Sequence, residues 1–494
     1  MFSYKILAGV AVAATCLFSS CVDLDQEPLG SAVAGKIDNE KQAFLRLAAV
    51  YSDMKDFRCT WSMIAFGEIL SDNATFSGSD NDAAQFALME SFQYPTEHGT
   101  TKDKYSQTYQ CINKANLVIH DFENTSDDMF QTYNKAHMIA EAKFIRAYSY
   151  FELVKTFGGV PLYTEVLELD HKRLGRSTPE QVYAAIEKDL QEAADVLPSK
   201  KEIKNYMKDY AGRITKGACY AMQTRVFLYQ KKYEQVKQAF KNLKALDEYE
   251  LVDDYGYQFR LEGEHCSESI LEINMYNSPT QGSWNVNNGN RHVLMSMPRN
   301  MTIGFGCGQP TQALADAYDR AGDVIRKKAT LLSTEEAVAI EREAKGDVPP
   351  VTSDRTGWYN RKAYLKPGER VEDRGNNQPL NHKLIRLGEV YLNYAEACAL
   401  SNEEGEARFY LNEIRKRAQL DEVQSTGDQL FKDIINERNL ELGLEGFRFF
   451  DMVRVGWAHE AFKSKGNFTD AAGLLPIPQI EIDINKGEIV QNPR

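Results

Sequence analysis

The sequence predicts a mainly α protein in which about four helix pairs form a scaffold interrupted by irregular, strand-containing insertions. Three observations lead there. Apolar residues recur at steps of three and four, so that Ala140, Phe144, Ala147, Phe151 and Val154 share one helix face. Connections between periodic stretches are as short as Gln230 to Lys232, and short connections force antiparallel neighbours. Between these stretches the chain turns to Gly, Asn and Ser with scattered aromatics, which are loop compositions.

At the N-terminus, Lys5 is the only charge before an apolar run from Ile6 to Phe18, and Ser19-Ser20-Cys21 closes the segment. A basic start, a short apolar stretch and small residues make a secretory signal. The run is too short for a bilayer core that needs roughly 20 residues. A cysteine directly after the small residues is similar to a bacterial lipobox, so residues 1–20 read as a lipoprotein signal peptide and Cys21 as the lipid-bearing residue. Acyl chains anchor by about 0.8 kcal/mol per buried CH₂, which leaves 21–494 as a single domain outside the membrane. Asp23, Asp25 and Glu27 resemble the sorting signals of surface-exposed lipoproteins, which would face the extracellular side.

Helical stretches follow in order. Asn39 to Phe57 and Tyr105 to Phe122 are candidates, then 131–157, which Gly158-Gly159 and Pro161 end. Thr178-Pro179-Glu180-Gln181 announces the next helix through a capping box with Pro at the first helical position, and Leu197-Pro198 stops it. Thr215 to Tyr229 and Tyr233 to Leu246 form a pair whose turn resembles that of a tetratricopeptide repeat, without a readable 34-residue period. Leu387 to Leu400, Gly405 to Ala418 and Gln429 to Leu442 complete the set. The expected scaffold is therefore about 36–57, 105–250 and 380–460, with insertions at 58–104 and 251–380. The second insertion holds the strand-like Ser269 to Ile273 and loops at Asn285 to Asn290 and Gly304 to Pro310. Binding residues concentrate on loops carried by a rigid scaffold, so the site is expected in the insertions.

Composition removes several classes of function. Lys and Arg number 58 against 71 Asp and Glu, a net charge of −13, or −14 once Lys5 leaves with the signal. The basic residues are interspersed with acids as on solvated helix faces, with no basic patch for nucleic acid. Cys59, Cys111, Cys219, Cys266, Cys307 and Cys398 show no C-x-x-C spacing, and a chain this long needs no disulfide framework. There is no H-E-x-x-H, G-x-S-x-G or Walker A lysine, and the eight histidines have no metal-ligand spacing. Gly304-Phe305-Gly306-Cys307-Gly308 lacks the flanking strand and helix of a phosphate loop, and Ser77 to Asp82 lacks the twelve-residue spacing of an EF-hand. No cofactor or metal is expected. A glycosidase stays open at the level of motifs, because 71 acids always supply some carboxylate pair.

Four stretches, in order along the chain, resemble the SusD/RagB family of outer-membrane nutrient-binding lipoproteins. They are Ala140-Glu141-Ala142-Lys143-Phe144-Ile145-Arg146-Ala147-Tyr148 running on to Phe157-Gly158-Gly159-Val160-Pro161; Leu384-Ile385-Arg386-Leu387-Gly388-Glu389 with Asn393-Tyr394-Ala395-Glu396-Ala397; Leu411-Asn412-Glu413-Ile414-Arg415; and Glu437-Arg438-Asn439-Leu440-Glu441-Leu442 with Glu445-Gly446-Phe447-Arg448-Phe449-Phe450-Asp451. Leu475-Pro476-Ile477-Pro478 and Gln491-Asn492-Pro493 also fit. One departure is Asn439, where the family often has a second Arg. The resemblance implies a non-catalytic, lipid-anchored lid on a SusC-like TonB-dependent transporter, which captures an oligosaccharide or polysaccharide, or in RagB-type members a peptide. A protein-binding helical-repeat adaptor is the remaining alternative.

The same resemblance places the ligand-facing loops after the first helix and after the mid-chain strands. Sugar recognition needs flat aromatic faces and planar hydrogen-bonding groups. The first loop offers Asp72, Asn73, Phe76, Phe92 and Tyr94, and the second Tyr276, Asn277, Trp284, Asn285, Asn287, Asn288 and Arg291. Trp284 lies in a polar, turn-like context unusual for a core tryptophan. Trp284, Tyr276, Asn287, Tyr94, Asp72 and Asn73 are the expected ligand contacts. Trp61, Trp358 and Trp457 read as packed, Trp358 because Gly357 to Lys362 resembles a family strand.

Overall fold

The computed structural model describes residues 37–77, 86–166, 174–276, 289–372, 378–485 and 487–493. Cys21, Trp284 and Asn287 lie outside the described residues. The principal helices are α1 (Glu40–Met54), α2 (Phe57–Ile64), α3 (Gly99–Glu123), α4 (Lys135–Phe157), α5 (Pro179–Val196), α6 (Lys216–Tyr229) and α7 (Tyr233–Ala245). After an insertion holding α8 (Gln312–Ala321), α9 (Val324–Thr330) and α10 (Thr334–Lys345) come α11 (Leu387–Ala399), α12 (Glu404–Arg417), α13 (Gly427–Leu442) and α14 (Arg448–Val455).

Local signals set the helix ends. Thr178 accepts a hydrogen bond from the Gln181 N–H while Gln181 Oε1 accepts from the Thr178 N–H at 2.9 Å, the reciprocal capping box the sequence announces. Asn39 and Asn134 cap α1 and α4 through their side-chain oxygens. Gly158, at φ +73°, ends α4 in a conformation open to glycine. Helices that follow one another pack side by side: α1 on α3, α3 on α4, α4 on α5, α5 on α6, α6 on α7, α7 on α11, and α11 on both α12 and α13. The helix at the middle of the first block, α4, is buried from Ala140 to Phe157 except at Lys143 and Lys155. Its buried charges are paired with neighbours: Arg146 holds Asp189 of α5 through two bonds of 2.7 Å, and Glu152 accepts from Lys104 of α3 at 2.7 Å. Among the described residues, no helix is long and apolar enough to cross a membrane.

Among the described residues, three short antiparallel ladders stitch the insertions into the fold. β1 (Ala74–Thr75) pairs with β3 (Gln309–Pro310), β2 (Ser269–Ile273) with β6 (His382–Arg386), and β4 (Leu331–Ser333) with β5 (Trp358–Asn360). The expected strand at Ser269 to Ile273 is thus present and fully buried. β1–β3 joins the first insertion to the second, a link no local pattern announces.

Both insertions are more helical than their composition predicts. α2 continues through a π-helical turn at Ala65–Ile69, and all five residues of that turn are buried. A segment buried on every side has no polar stripe, so its periodicity is invisible in sequence. Gly67 there meets the chain at Gly446, where a Cβ would lie 2.1 Å from the Gly446 carbonyl oxygen. In the second insertion, Thr311, Asp323 and Ser333 cap α8, α9 and α10 with their side chains. The capping residues were present in the sequence, but the helices are too short for a clear repeat. α3 also begins six residues before the expected Tyr105, at Gly99.

Candidate functional site

Two clefts lie next to residues that the sequence singles out. The first, about 240 Å³, runs along α1. Phe44, Leu47, Tyr51 and Lys55 line it from one helix face at steps of three and four. Gly212 and Arg213, from the segment before α6, form a wall, and Ile273 and Asn274 enter from the end of β2.

Glu141 of α4 fixes this arrangement from beneath. Its buried carboxylate accepts from Tyr51 Oη at 2.5 Å, from Arg213 Nε at 3.1 Å and from Tyr210 Oη at 3.3 Å, with a further bond to Arg213 Nη2. Tyr51 Oη in turn accepts from the Ile214 N–H at 3.0 Å. Burial, and then the Glu141 charge, raise the Tyr51 hydroxyl well above the usual phenol range, so it stays a neutral hydrogen-bonding group. Arg213 lies over the Tyr210 ring at 4.2 Å. Asn274 Nδ2 donates to the Ala211 carbonyl at 2.9 Å, which closes the wall. Aromatic faces, an amide and two cations thus meet in one small cleft, the mixture that sugar recognition requires. Tyr276, two residues beyond Asn274, is 63% exposed and is the most accessible of the expected ligand contacts that the structure describes.

The second cleft, about 350 Å³, lies between α8, α13 and α14 and is lined by Asp72, Arg320, Asn436, Asn439 and Arg448 among others, with no aromatic side chain. Arg448 grips Asp72 through two bonds of 2.8 Å, tying the first insertion to α14. The Asp72 carbonyl accepts from Thr311 Oγ1 at 2.5 Å. Asp72 therefore holds its loop in place. Asn439, the departure from the family pattern, lines the same cleft.

The remaining expected contacts are committed inside the fold. Asn73 is 1% exposed and donates through Nδ2 to Glu68 at 3.1 Å. Tyr94 is 8% exposed and donates from Oη to the Ala472 carbonyl at 3.0 Å. Phe76 stacks on Phe86 with ring centroids 4.1 Å apart. The first insertion thus turns its aromatics inward, with Tyr94 inside the fold and the nearly buried Asn73 at the wall of the second cleft. Trp61 is buried, Trp358 donates from Nε1 to Gln312 at 3.1 Å, and Trp457 packs edge-on against Phe431. Sequence reasoning missed Phe44, Tyr51, Lys55 and Arg213. The first three belong to a helix read only as scaffold, and the Phe44 and Tyr51 spacing of seven was the available signal.

Two family profiles match this chain: one described as the SusD family over residues 326–494, the other as "Starch-binding associating with outer membrane" over residues 46–228. A SusD-like protein of Bacteroides ovatus is 25% identical over 470 residues, covering 88% of this chain and 80% of its own length. Among solved structures, a laminarin binding SusD-like protein superimposes with a TM-score of 0.79 at 29% identity, covering 92% of this chain and 100% of that one. Surface glycan-binding protein A from Bacteroides thetaiotaomicron, solved in complex with laminarihexaose, shares the fold at 24% identity and a TM-score of 0.78, with 92% of this chain and 99% of that one covered. The chain belongs to the SusD family. The two solved structures are those of glycan-binding proteins.

Proposed function

We propose that this protein captures an extracellular glycan at the outer membrane, in the cleft beside α1, and delivers it to a SusC-like TonB-dependent transporter. The observation that carries the reading is the similarity, over 92% of the chain, to a laminarin binding SusD-like protein. The cleft supports it chemically, since it combines Phe44 and Tyr51 with Asn274 and Arg213 and lies just below the roughly 300–1,000 Å³ range of small-molecule sites. A lipid on Cys21 is the proposed tether. Tyr276 is the proposed platform at the mouth, and Trp284 and Asn287 are carried forward from the sequence as further ligand contacts. Asp72, Asn73 and Tyr94 act instead by bracing the first insertion.

A glycan array followed by calorimetry tests the reading. Binding without product, weakened by Phe44→Ala and by Trp284→Ala, supports it. Failure of every glycan to bind, or turnover that one Asp or Glu substitution abolishes, overturns it. Delivery is tested separately by pull-down from detergent-solubilised outer membrane, where co-purification of a TonB-dependent transporter is the expected result, and the tether by labelled palmitate, whose incorporation Cys21→Ser should abolish.

A further inference from the structure

Lys55 occupies an unusual position in the cleft beside α1. It lines the cavity next to Met54 and Tyr51 and is half-buried, and its ammonium has no hydrogen-bond or ion-pair acceptor among the described residues. The acids nearest to it along the chain pair with other cations. Asp53 accepts from Lys114 at 2.8 Å and Asp56 from Arg58 at 2.9 Å. The other cation lining the cleft, Arg213, is paired with Glu141. The place of Lys55 at the C-cap of α1 suits a cation through the helix dipole, but it leaves the three ammonium N–H donors without acceptors. Burial lowers the Lys55 pKa, and no neighbouring acid offsets that loss.

A partly desolvated ammonium in a cleft whose other cation is already neutralised is complementary to an anion that arrives with the ligand. We infer that the cleft selects an acidic glycan, one whose sugar carries a carboxylate or a sulfate ester that pairs with Lys55. The inference rests on the proposed role of the cleft as the glycan site and adds the charge of the ligand to it. With a chain of net charge −13 around it, an acidic glycan has no general attraction to this protein, so the specific contact must supply the preference.

The test is calorimetry on the full mature chain with three sets of probes: neutral laminari- and cello-oligosaccharides, hexuronate oligosaccharides, and sulfated oligosaccharides. The hexuronate and sulfate arms separate the two sources of charge. The expected result is that one acidic set binds more tightly than the neutral sets, that Lys55→Gln weakens it about tenfold, and that Lys55→Arg restores most of the loss. Added salt should weaken binding to the parent chain and leave Lys55→Gln nearly unaffected. Thermal melting checks that both variants fold. Neutral glycans binding as tightly as acidic ones in a Phe44-dependent manner, or an acidic glycan indifferent to Lys55→Gln, overturns the inference while leaving the glycan reading intact. If no probe binds, both are overturned.

Discussion

Arg386 is a buried cation and Lys55 a half-buried one, and their surroundings are opposite. Arg386, at the end of β6, donates to Glu268 at 3.0 Å, to Glu441 at 2.5 Å and to both Glu445 oxygens at 2.8 and 2.9 Å. Arg326 and Arg417 reach the same Glu441 carboxylate, at 3.1 and 2.5 Å. In that hub every charge is closed by a partner from another part of the chain, so it binds the second insertion to α12 and α13. The Lys55 ammonium has no such partner among the described residues. The difference teaches that closed networks mark scaffold, whereas a charge left open in a cleft marks where something else is meant to bind.

The sharpest way to break the comparison is to open the hub. Glu441→Ala leaves three guanidinium groups sharing too few acceptors, and losing one member of a buried pair costs about 3–5 kcal/mol. Urea unfolding should show that loss, with glycan affinity unchanged under conditions where the variant stays folded. The hub also has a pH signature. Burial alone would raise the Glu441 carboxyl, but Arg417, Arg386 and Arg326 hold it well below the usual 4.5. Its stabilisation is therefore complete above about pH 4.5 and lost as pH falls towards the depressed folded value.

Glu68 sharpens the contrast from the other side, because this buried carboxylate lies against hydrogen-bond donors and not against an ion-pair partner. Gly446 and Phe447 N–H groups donate to it at 2.7 and 3.1 Å. Burial nevertheless raises its pKa to about 7. A raised acid works against the fold as it ionises: its contribution is intact below pH 4.5 and lost as pH climbs to about 7. Glu68→Gln should flatten the stability profile across that window, measured by thermal melting from acid to neutral pH. A profile identical to that of the parent chain would show that Glu68 is not the group titrating there.

These contrasts also explain what the sequence made legible. The Ala140 to Val154 stripe, the Thr178 capping box and the Ser269 to Ile273 strand are local patterns, and each is present in the structure. The π-helical turn at Ala65–Ile69 and the β1–β3 pairing depend on contacts hundreds of residues apart and leave no local trace. For the site, residue chemistry singled out polar and aromatic groups in the insertions without revealing which way they face, whereas the cleft along α1 is lined mostly by residues of the scaffold. Tyr94 and Tyr276 are both tyrosines in irregular segments, yet Tyr94 is tied to Ala472 inside the fold and Tyr276 stands in solvent. Lys55 stayed hidden because being unpaired is a property of all its neighbours at once.

A smaller effect separates local from long-range stabilisation. Thr178→Ala removes one side of an exposed capping box and should cost about 1 kcal/mol, well short of Glu441→Ala, when both are compared by urea unfolding.

Tyr276→Ala provides the most delicate test, because the two regions should respond to it in opposite ways. A side chain 63% exposed contributes little to packing, and surface changes usually stay within about 0.5 kcal/mol, so melting should be unaltered. A sugar ring laid against the phenol would cover modest apolar area at about 25 cal/mol per Å², so its loss should weaken glycan binding by roughly fivefold. Calorimetry beside melting separates the two. If affinity is unchanged in Tyr276→Ala but falls in Phe44→Ala, the sugar lies within the cleft along α1 and not across its mouth, and the open charge of Lys55 then sits closer to the ligand than any exposed aromatic does.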